Sequence, residues 1–87
     1  MGRYFFDIAD GGLTLDQEGR ELAGADQIAE AAMSTLLEVA KLEIVANNER
    51  EISVTVRDEV GEPIYRTSLL VTAGWLAGVK KPDAISR

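Results

Sequence analysis

The hydrophobic and polar positions of the chain follow two periods, one typical of strands and one typical of a helix. Residues 52–57 alternate strictly between aliphatic and polar side chains, which predicts a strand with one buried face. Residues 3–8, RYFFDI, alternate less cleanly because Phe5 adds an aromatic ring to the opposite face, so we expect a strand covered on both sides. A further strand over residues 64–72 needs a β-bulge, because unbroken pairing with residues 52–57 would turn its aliphatic side chains away from the core.

A long amphipathic helix is predicted between about residues 25 and 46, where the composition shifts to Ala, Leu, Glu and Met. At helical spacing its polar positions form one narrow stripe: Gln27, Glu30, Ser34, Glu38 and Lys41. Gly24 or Asp26 suits the start of the helix, and Asn47 and Asn48 suit its end.

The apolar arc of this helix extends over more than half of its circumference, which is wider than one sheet face usually covers. At about 1.5 Å per residue the helix is also about 30 Å long, against about 20 Å for strands of six residues. Three explanations stay open: the helix ends early near Lys41, the tail around Trp75 and Leu76 folds back over it, or a second copy of the chain packs there. The interface of such a homodimer would use Met33, Leu37, Ile44 and Trp75.

These patterns predict one α+β domain over residues 1–72, with the element order β-β-α-β-β. Its mostly antiparallel sheet has about four strands, with a single long helix packed across one face. Two short extended segments, residues 13–15 and 20–23, precede the helix. Residues 73–87 are predicted to form a C-terminal tail that is partly ordered around Trp75.

The stretch DGGLTLDQEGRELAG, residues 10–24, contains a turn motif that recurs after residue 57. DQEGREL and DEVGEPI share an Asp, a Gly three residues later, and then two residues followed by an aliphatic one. Asp16 and Asp58 can each accept the backbone N–H two residues on, and Gly19 and Gly61 can supply the positive φ of a bulged hairpin. Each segment is therefore predicted to be a hairpin turn.

The first of these segments also overlaps a window with some features of a calcium-binding loop, because residues 7–18 place Asp, Gly and Glu at the first, sixth and twelfth positions of an EF-hand. Ala9 and Gly11 stand where side-chain oxygens are needed, and a strand precedes the loop, so an EF-hand is excluded. A looser cation site is an alternative, with the candidate ligands Asp7, Asp10, Asp16 and Glu18. Neither glycine-rich nucleotide-binding motif occurs, and no cofactor is predicted.

Composition removes several classes of function. The chain of 87 residues has no Cys and no His, which excludes disulfides, thiolate nucleophiles, imidazole bases and the common zinc sites. Its formal charge of −6 and its scattered basic residues argue against nucleic acid and membrane surfaces as partners. No apolar run approaches the roughly 18 residues of a membrane helix, and no signal-peptide pattern is present, so we expect a cytoplasmic protein.

Five segments taken together, RYFFDI, DGG, DQEGREL, EAA and VRDEVGEPI, resemble a family of short bacterial proteins, common in soil and plant-associated species and known only as a domain of unknown function. The resemblance covers about residues 1–71 and leaves the tail outside. It implies a β-β-α-β-β domain, and it implies no activity and no catalytic residues.

The functional prediction is a non-enzymatic, self-associating protein-interaction or regulatory module, acting as a homodimer or with an unidentified protein partner. The prediction depends on the wide apolar arc of the helix and on the missing catalytic residue types. Two alternatives stay open: a cation-binding domain that uses the carboxylates between Asp7 and Glu18, and a small carboxylate-dependent enzyme. No catalytic, cofactor-binding or metal residues are assigned.

Overall fold

The computed structural model describes residues 2–43 and 49–83 of the chain. Those ranges contain one helix and five strands: β1 (Gly2–Ala9), β2 (Leu13–Thr14), β3 (Arg20–Leu22), α1 (Ala25–Glu43), β4 (Glu49–Arg57) and β5 (Pro63–Thr72). The predicted α+β fold with the order β-β-α-β-β is confirmed, and its second strand is divided into the short strands β2 and β3. The interface candidate Ile44 lies outside the described residues.

The strands form one antiparallel sheet in the order β2-β1-β4-β5, and β3 also pairs with β1. In the register of β1 and β4, Phe6 lies opposite Val56 and Ile8 lies opposite Val54. Because side chains alternate between the two faces of a strand, these four residues share the face on which α1 packs. The alternation predicted for β4 is confirmed, since Ile52, Val54 and Val56 are each 0% exposed.

A β-bulge interrupts the pairing of β4 with β5, as the sequence predicts. The register shifts between Val56 and Arg57, which makes Ile64 the extra residue of β5. Beyond the bulge, Leu69 lies opposite Ile52 and packs against the core. The bulge therefore keeps one aliphatic face of β5 directed toward the helix.

The helix α1 packs mainly against β4 and β5 and makes fewer contacts with β1. Its buried residues recur every four positions: Ile28, Ala32, Leu36 and Ala40. Gly24 caps the helix, and its carbonyl oxygen accepts a hydrogen bond from the N–H of Ile28 at 3.1 Å. The Oε1 of Gln27 accepts a bond from the N–H of Ala23 at 2.8 Å, which satisfies a further backbone donor near this end. Neither α1 nor any other described segment is a helix long and apolar enough to span a membrane.

The tail, described over residues 73–83, leaves the outer flank of α1 exposed. The side chains of Met33 and Leu37 are 45% and 52% exposed, and that of Trp75 is 61% exposed. The tail makes a turn of its own around Gly78, whose φ is 80°. The described part of the tail therefore does not fold back over this flank of α1, so the tail does not explain the wide apolar arc in the single chain.

Candidate functional site

The glycine-rich stretch of residues 10–24 runs along one edge of β1. Strand β2 pairs with the end of β1, and strand β3 pairs with its start. The prediction of a hairpin turn around Asp16 is wrong, because this segment connects two strands that both pair with β1. The matching prediction around Asp58 is confirmed, since that segment connects β4 to its partner β5.

The carboxylate of Asp16 fills the gap in the ladder between β2 and β3. Its Oδ2 accepts a hydrogen bond from the N–H of Phe6 in β1, at 3.1 Å. Its Oδ1 accepts bonds from the N–H groups of Glu18, at 3.1 Å, and Gly19, at 3.2 Å. The turn chemistry predicted for Asp16 is therefore present, and the same carboxylate also satisfies a backbone donor of the neighbouring strand.

Gly19 completes this turn at a position where a larger residue does not fit. Its φ is 73°, a conformation that favours glycine. A Cβ at Gly19 would lie 2.9 Å from the Cγ of Arg3 and 3.0 Å from the Cε2 of Phe5. The backbone of the loop can therefore approach β1 closely only because this residue has no side chain.

A partly buried ion pair joins β1 to β4, and both of its residues also bind the backbone of the loop. The carboxylate of Asp7, whose side chain is 8% exposed, receives the Nε of Arg57 at 2.5 Å and its Nη2 at 3.1 Å. The same Nη2 donates to the carbonyl oxygen of Asp16 at 3.0 Å, and the N–H of Asp16 donates to Asp7 at 3.0 Å. The guanidinium also lies 5.1 Å from the centre of the Phe5 ring. We call Asp7, Asp16 and Arg57 the carboxylate clasp.

Two clasp residues, Asp16 and Arg57, have pKa values displaced by their surroundings. Burial raises the pKa of Asp16, but hydrogen bonds from three backbone N–H groups, that of Phe6 foremost, and the charge of Arg20 together hold the pKa below the ordinary value of 3.8. The hydrogen bond to Asp7 raises the pKa of Arg57, and this outweighs the opposing effect of burial. In the clasp, the Asp7 carboxylate therefore binds the guanidinium of Arg57, and the Asp16 carboxylate binds backbone N–H groups.

The four candidate cation ligands lie in the described part of the chain, where no group of three or more Asp or Glu side chains is close enough to hold a metal ion. Oxygens of Asp7 and Asp16 are bound to backbone N–H groups and to Arg57 instead. These contacts give the two carboxylates a structural role, and cation binding by Asp7, Asp10, Asp16 and Glu18 stays a prediction.

Arg57 is the residue of this site that sequence reasoning missed, since it was treated only as one of several scattered basic residues. The available signal was Asp7, a charged residue inside the apolar strand RYFFDI. A carboxylate buried in a strand needs a charged partner or several donors, so its position indicated that an Arg or Lys lay on the neighbouring strand.

A groove lies between α1 and the loop, and Arg20 crosses it. The guanidinium of Arg20 is 4.7 Å from the centre of the Phe6 ring, and its Nη2 donates to the Oγ1 of Thr35 at 3.0 Å. Open hollows of about 480 and 540 Å³ meet at these two polar residues, the first lined also by Val39 and Leu42. Because Arg20 lies over Phe6, the arrangement covers the end of the core.

The opposite flank of α1 lies beside the edge strand β5. The Oγ1 of Thr67 is 4.0 Å from the Sδ of Met33, which places this flank next to β5. Within the described ranges β5 pairs with β4 alone, so the other side of this ten-residue strand forms the edge of the sheet. Of the candidate interface residues, Met33 and Leu37 lie together here, and Trp75 lies beyond the end of β5. We call Met33, Leu37 and strand β5 the β5 flank.

Comparison with known proteins identifies a family and assigns it no activity. No curated protein and no solved structure matches the chain. Residues 3–70 match the family described as "Domain of unknown function (DUF6894)", a range that begins in β1 and ends within β5. The resemblance to a family of unknown function is therefore confirmed, and the chain belongs to the DUF6894 family.

Proposed function

We propose that the chain is a self-associating protein-interaction module whose contact surface is the β5 flank. The observation that carries the proposal is the position of two exposed apolar side chains, Met33 and Leu37, beside a ten-residue edge strand. An apolar helix flank and a free strand edge are two common means of binding another protein, and here they adjoin.

Two kinds of contact are available on this surface. Full burial of a side chain such as Met33 or Leu37 contributes roughly 1.5–3 kcal/mol, and both are about half exposed in the single chain. The outward backbone groups of β5 can pair with another strand, which extends the sheet. Leu70, at 63% exposure, adds an apolar side chain on the other face of β5, because it alternates with Leu69, which packs against the core.

Charge also favours this surface for self-association. The chain carries a formal charge of −6, so most orientations of two copies bring like charges together. Strand β5 contains no Asp or Glu, and Arg66 is its one charged residue. Contact through β5 therefore keeps the acidic residues of the two copies apart better than contact through most other surfaces would.

The two alternatives have less support. Asp7 and Asp16, which cation binding would need, already accept hydrogen bonds from the protein. The hollows beside α1 are open, and catalysis by carboxylates needs a pair held in a cleft with displaced pKa values. A role in interaction requires neither, and a non-enzymatic module is therefore the function that we propose.

Sedimentation of the full chain over a wide concentration range tests the proposal. We expect the mass to rise toward that of two chains as the concentration increases. Leu37→Glu should weaken this association by about tenfold or more, because it places a charge in the centre of an apolar contact.

Leu42→Glu is the matched control, since it makes the same change on the same helix. Leu42 is 81% exposed and lines the hollow beside Arg20, on the opposite flank of α1 from Met33. Its substitution should leave association unchanged. A wild-type chain that stays monomeric at every concentration, or equal weakening by both variants, would contradict the proposal.

A further inference from the structure

We infer that two copies of this chain join by antiparallel pairing of their β5 strands about a two-fold axis at Ser68, and that the tail of each copy lies against the β4–β5 turn of the other. The inference rests on the proposed self-association and specifies its geometry. It combines the free strand edge, the direction of the tail, and the charges of the tail and the turn.

Most of the edge formed by β5 lacks the features that usually prevent strand pairing, since its proline and its bulge lie at one end. Natural edge strands are short, or carry several charges, prolines or bulges along the edge. Strand β5 has ten residues, with Arg66 as its one charged residue and Pro63 at its first position. Its bulge lies near that same end, at Ile64, so the remainder of the strand offers a continuous edge.

The register follows from the alternation of side chains. A two-fold axis perpendicular to the sheet pairs residues of the same face, so it must lie midway between one residue of β5 and the same residue of the second copy. An axis at Ser68 pairs residues 65–71 with one another and sets the bulge residue Ile64 opposite Thr72 at the end of the ladder. It leaves Pro63, which has no N–H, outside the ladder. An axis at Thr67 would bring Pro63 into the ladder, and an axis at Leu69 would shorten it.

This symmetry also brings the two helix flanks together. A two-fold axis perpendicular to the sheet keeps both helices on the same face of the combined sheet. Because Met33 contacts Thr67 of β5, the flank of each α1 borders the seam. Met33 and Leu37 of one copy then face Met33 and Leu37 of the other, where their exposed apolar surface becomes buried.

The inference places the first residues of the tail beside the turn of the second copy. With the axis at Ser68, Thr72 lies opposite Ile64 of the second copy. The folded chain is elongated, at 54 Å against a cross-section of 27 × 21 Å, and the inference takes residues 73–75 to continue along the line of β5. Three residues later, Trp75 therefore lies beside Gly61 of the second copy, within the turn that connects β4 to β5.

The tail and the turn are complementary in charge. Residues 1–72 contain six basic and fourteen acidic residues, whereas residues 73–87 contain three basic and one acidic. The turn of residues 58–62 carries three of the acidic residues and an exposed Val60, at 87%. In the tail, Trp75 and Lys81 line one hollow of about 650 Å³. Trp75 of the tail can therefore contact Val60 of the turn, and Lys81 can pair with the carboxylates of the turn.

A single cysteine tests the axis, because the chain has no cysteine of its own. Directly opposed residues of antiparallel strands have Cα atoms about 4.5–5.5 Å apart, within the range of about 4.4–6.8 Å for a disulfide. Ser68→Cys should therefore form a covalent dimer under mild oxidation. Thr72→Cys, on the same strand, should not, because its symmetry mate would lie about 27 Å away at 3.4 Å per residue.

A charge exchange tests the tail contact. Lys80→Glu with Lys81→Glu should weaken dimerisation by about tenfold, as should Glu59→Lys with Glu62→Lys in the turn. All four substitutions in one chain should restore most of the wild-type affinity. Asp26→Lys with Glu30→Lys is the matched control: this pair reverses two acidic residues near the start of α1 and should not restore dimerisation when combined with the altered tail.

These measurements separate the inference from the proposed function. A dimer that Leu37→Glu disrupts, with Ser68→Cys failing to cross-link or with no restoration by the exchanged charges, overturns the inference and leaves self-association standing. A wild-type chain that sediments as a monomer throughout overturns both. Two results together establish the pairing of the β5 strands and the tail contact. Ser68→Cys cross-links whereas Thr72→Cys does not, and the exchanged charges restore dimerisation.

Discussion

The two edges of the sheet are completed in different ways. At the β1 edge, the short strands β2 and β3 pair with the two ends of β1, and the Asp16 carboxylate accepts the N–H of Phe6 between them. At the β5 edge, ten residues pair with β4 on one side, and the described chain places no strand on the other. We call the first edge closed, because only the short strands β2 and β3 border it, and the second open, because a ten-residue strand borders it.

At the β1 edge, a side chain supplies a hydrogen-bond acceptor that a neighbouring strand would otherwise supply. The chain turns between β2 and β3, so its backbone does not continue the ladder there. The N–H of Phe6 in β1 would therefore lack a hydrogen-bond acceptor. A carboxylate held by its own turn supplies the missing acceptor, and the ion pair of Asp7 with Arg57 fixes the loop in place. After β5, the described residues 73–83 form the tail and add no strand to the sheet.

Removal of the carboxylate should have the largest effect on stability. Asp16→Ala removes the acceptor of three backbone N–H groups and should lower the free energy of unfolding by about 2–3 kcal/mol. Urea unfolding measures this change. Asp10→Ala alters a carboxylate of the same stretch that is not part of the clasp, and its effect should stay within about 0.5 kcal/mol. Equal losses in the two variants would mean that the clasp does not close this edge.

Gly19→Ala should have the next largest effect, about 1–2 kcal/mol, because a Cβ there would meet Arg3 and Phe5 at a positive φ. Gly61→Ala is the matched comparison: its φ is 91°, and a Cβ there would meet nothing within 4 Å. It should cost about 1 kcal/mol from backbone conformation alone. The difference between the two losses, measured by thermal or urea unfolding, reports the close approach of the loop to β1. Equal losses of stability in the two variants would mean that Arg3 and Phe5 move aside easily for a Cβ at residue 19.

A smaller effect should appear in the pH dependence of stability. The pKa of Asp16 lies below its ordinary value of 3.8 in the folded chain, so its ionised form favours folding. The stabilisation is complete above the unfolded pKa and is lost as the pH falls through the folded pKa. Between pH 5 and the acid limit of folding, the wild type should therefore lose more stability than Asp16→Asn. Equal losses of stability in the wild type and in Asp16→Asn, measured by urea unfolding at each pH, would argue against a lowered pKa of Asp16.

The smallest effect on stability is expected at the open edge. Leu70→Lys places a charge on an exposed position of β5 and should change the free energy of unfolding by less than about 0.5 kcal/mol at low concentration. Its self-association, measured by sedimentation, should nevertheless fall. Leu13→Lys makes the same change at an exposed position of β2, on the closed edge, and should leave association unaffected. A larger loss of association in Leu13→Lys than in Leu70→Lys would place the interface at the β1 edge.

Much of the fold followed from local sequence. The alternation of β4 and the glycine caps and turns depend on residues within a few positions of one another, and each is present. The bulge in β5 followed from the alternation of two strands that one turn connects, and it is present too. The helix was predicted for the same reason, because its apolar residues recur at a fixed spacing. Local patterns did not show that the loop around Asp16 lies along β1 instead of forming a hairpin, since the same turn chemistry serves both arrangements.

Contacts between distant residues were decided by the tertiary structure. Asp7 and Arg57 are fifty positions apart, and they meet because β1 and β4 are neighbours in an antiparallel register. The sequence by itself determined which segments form strands and a helix, and which helix face is too wide for the sheet. Only the folded chain showed that the tail leaves Met33 and Leu37 exposed beside an open edge. Periodicity acts over a few residues, whereas burial depends on which surfaces the assembled sheet brings together.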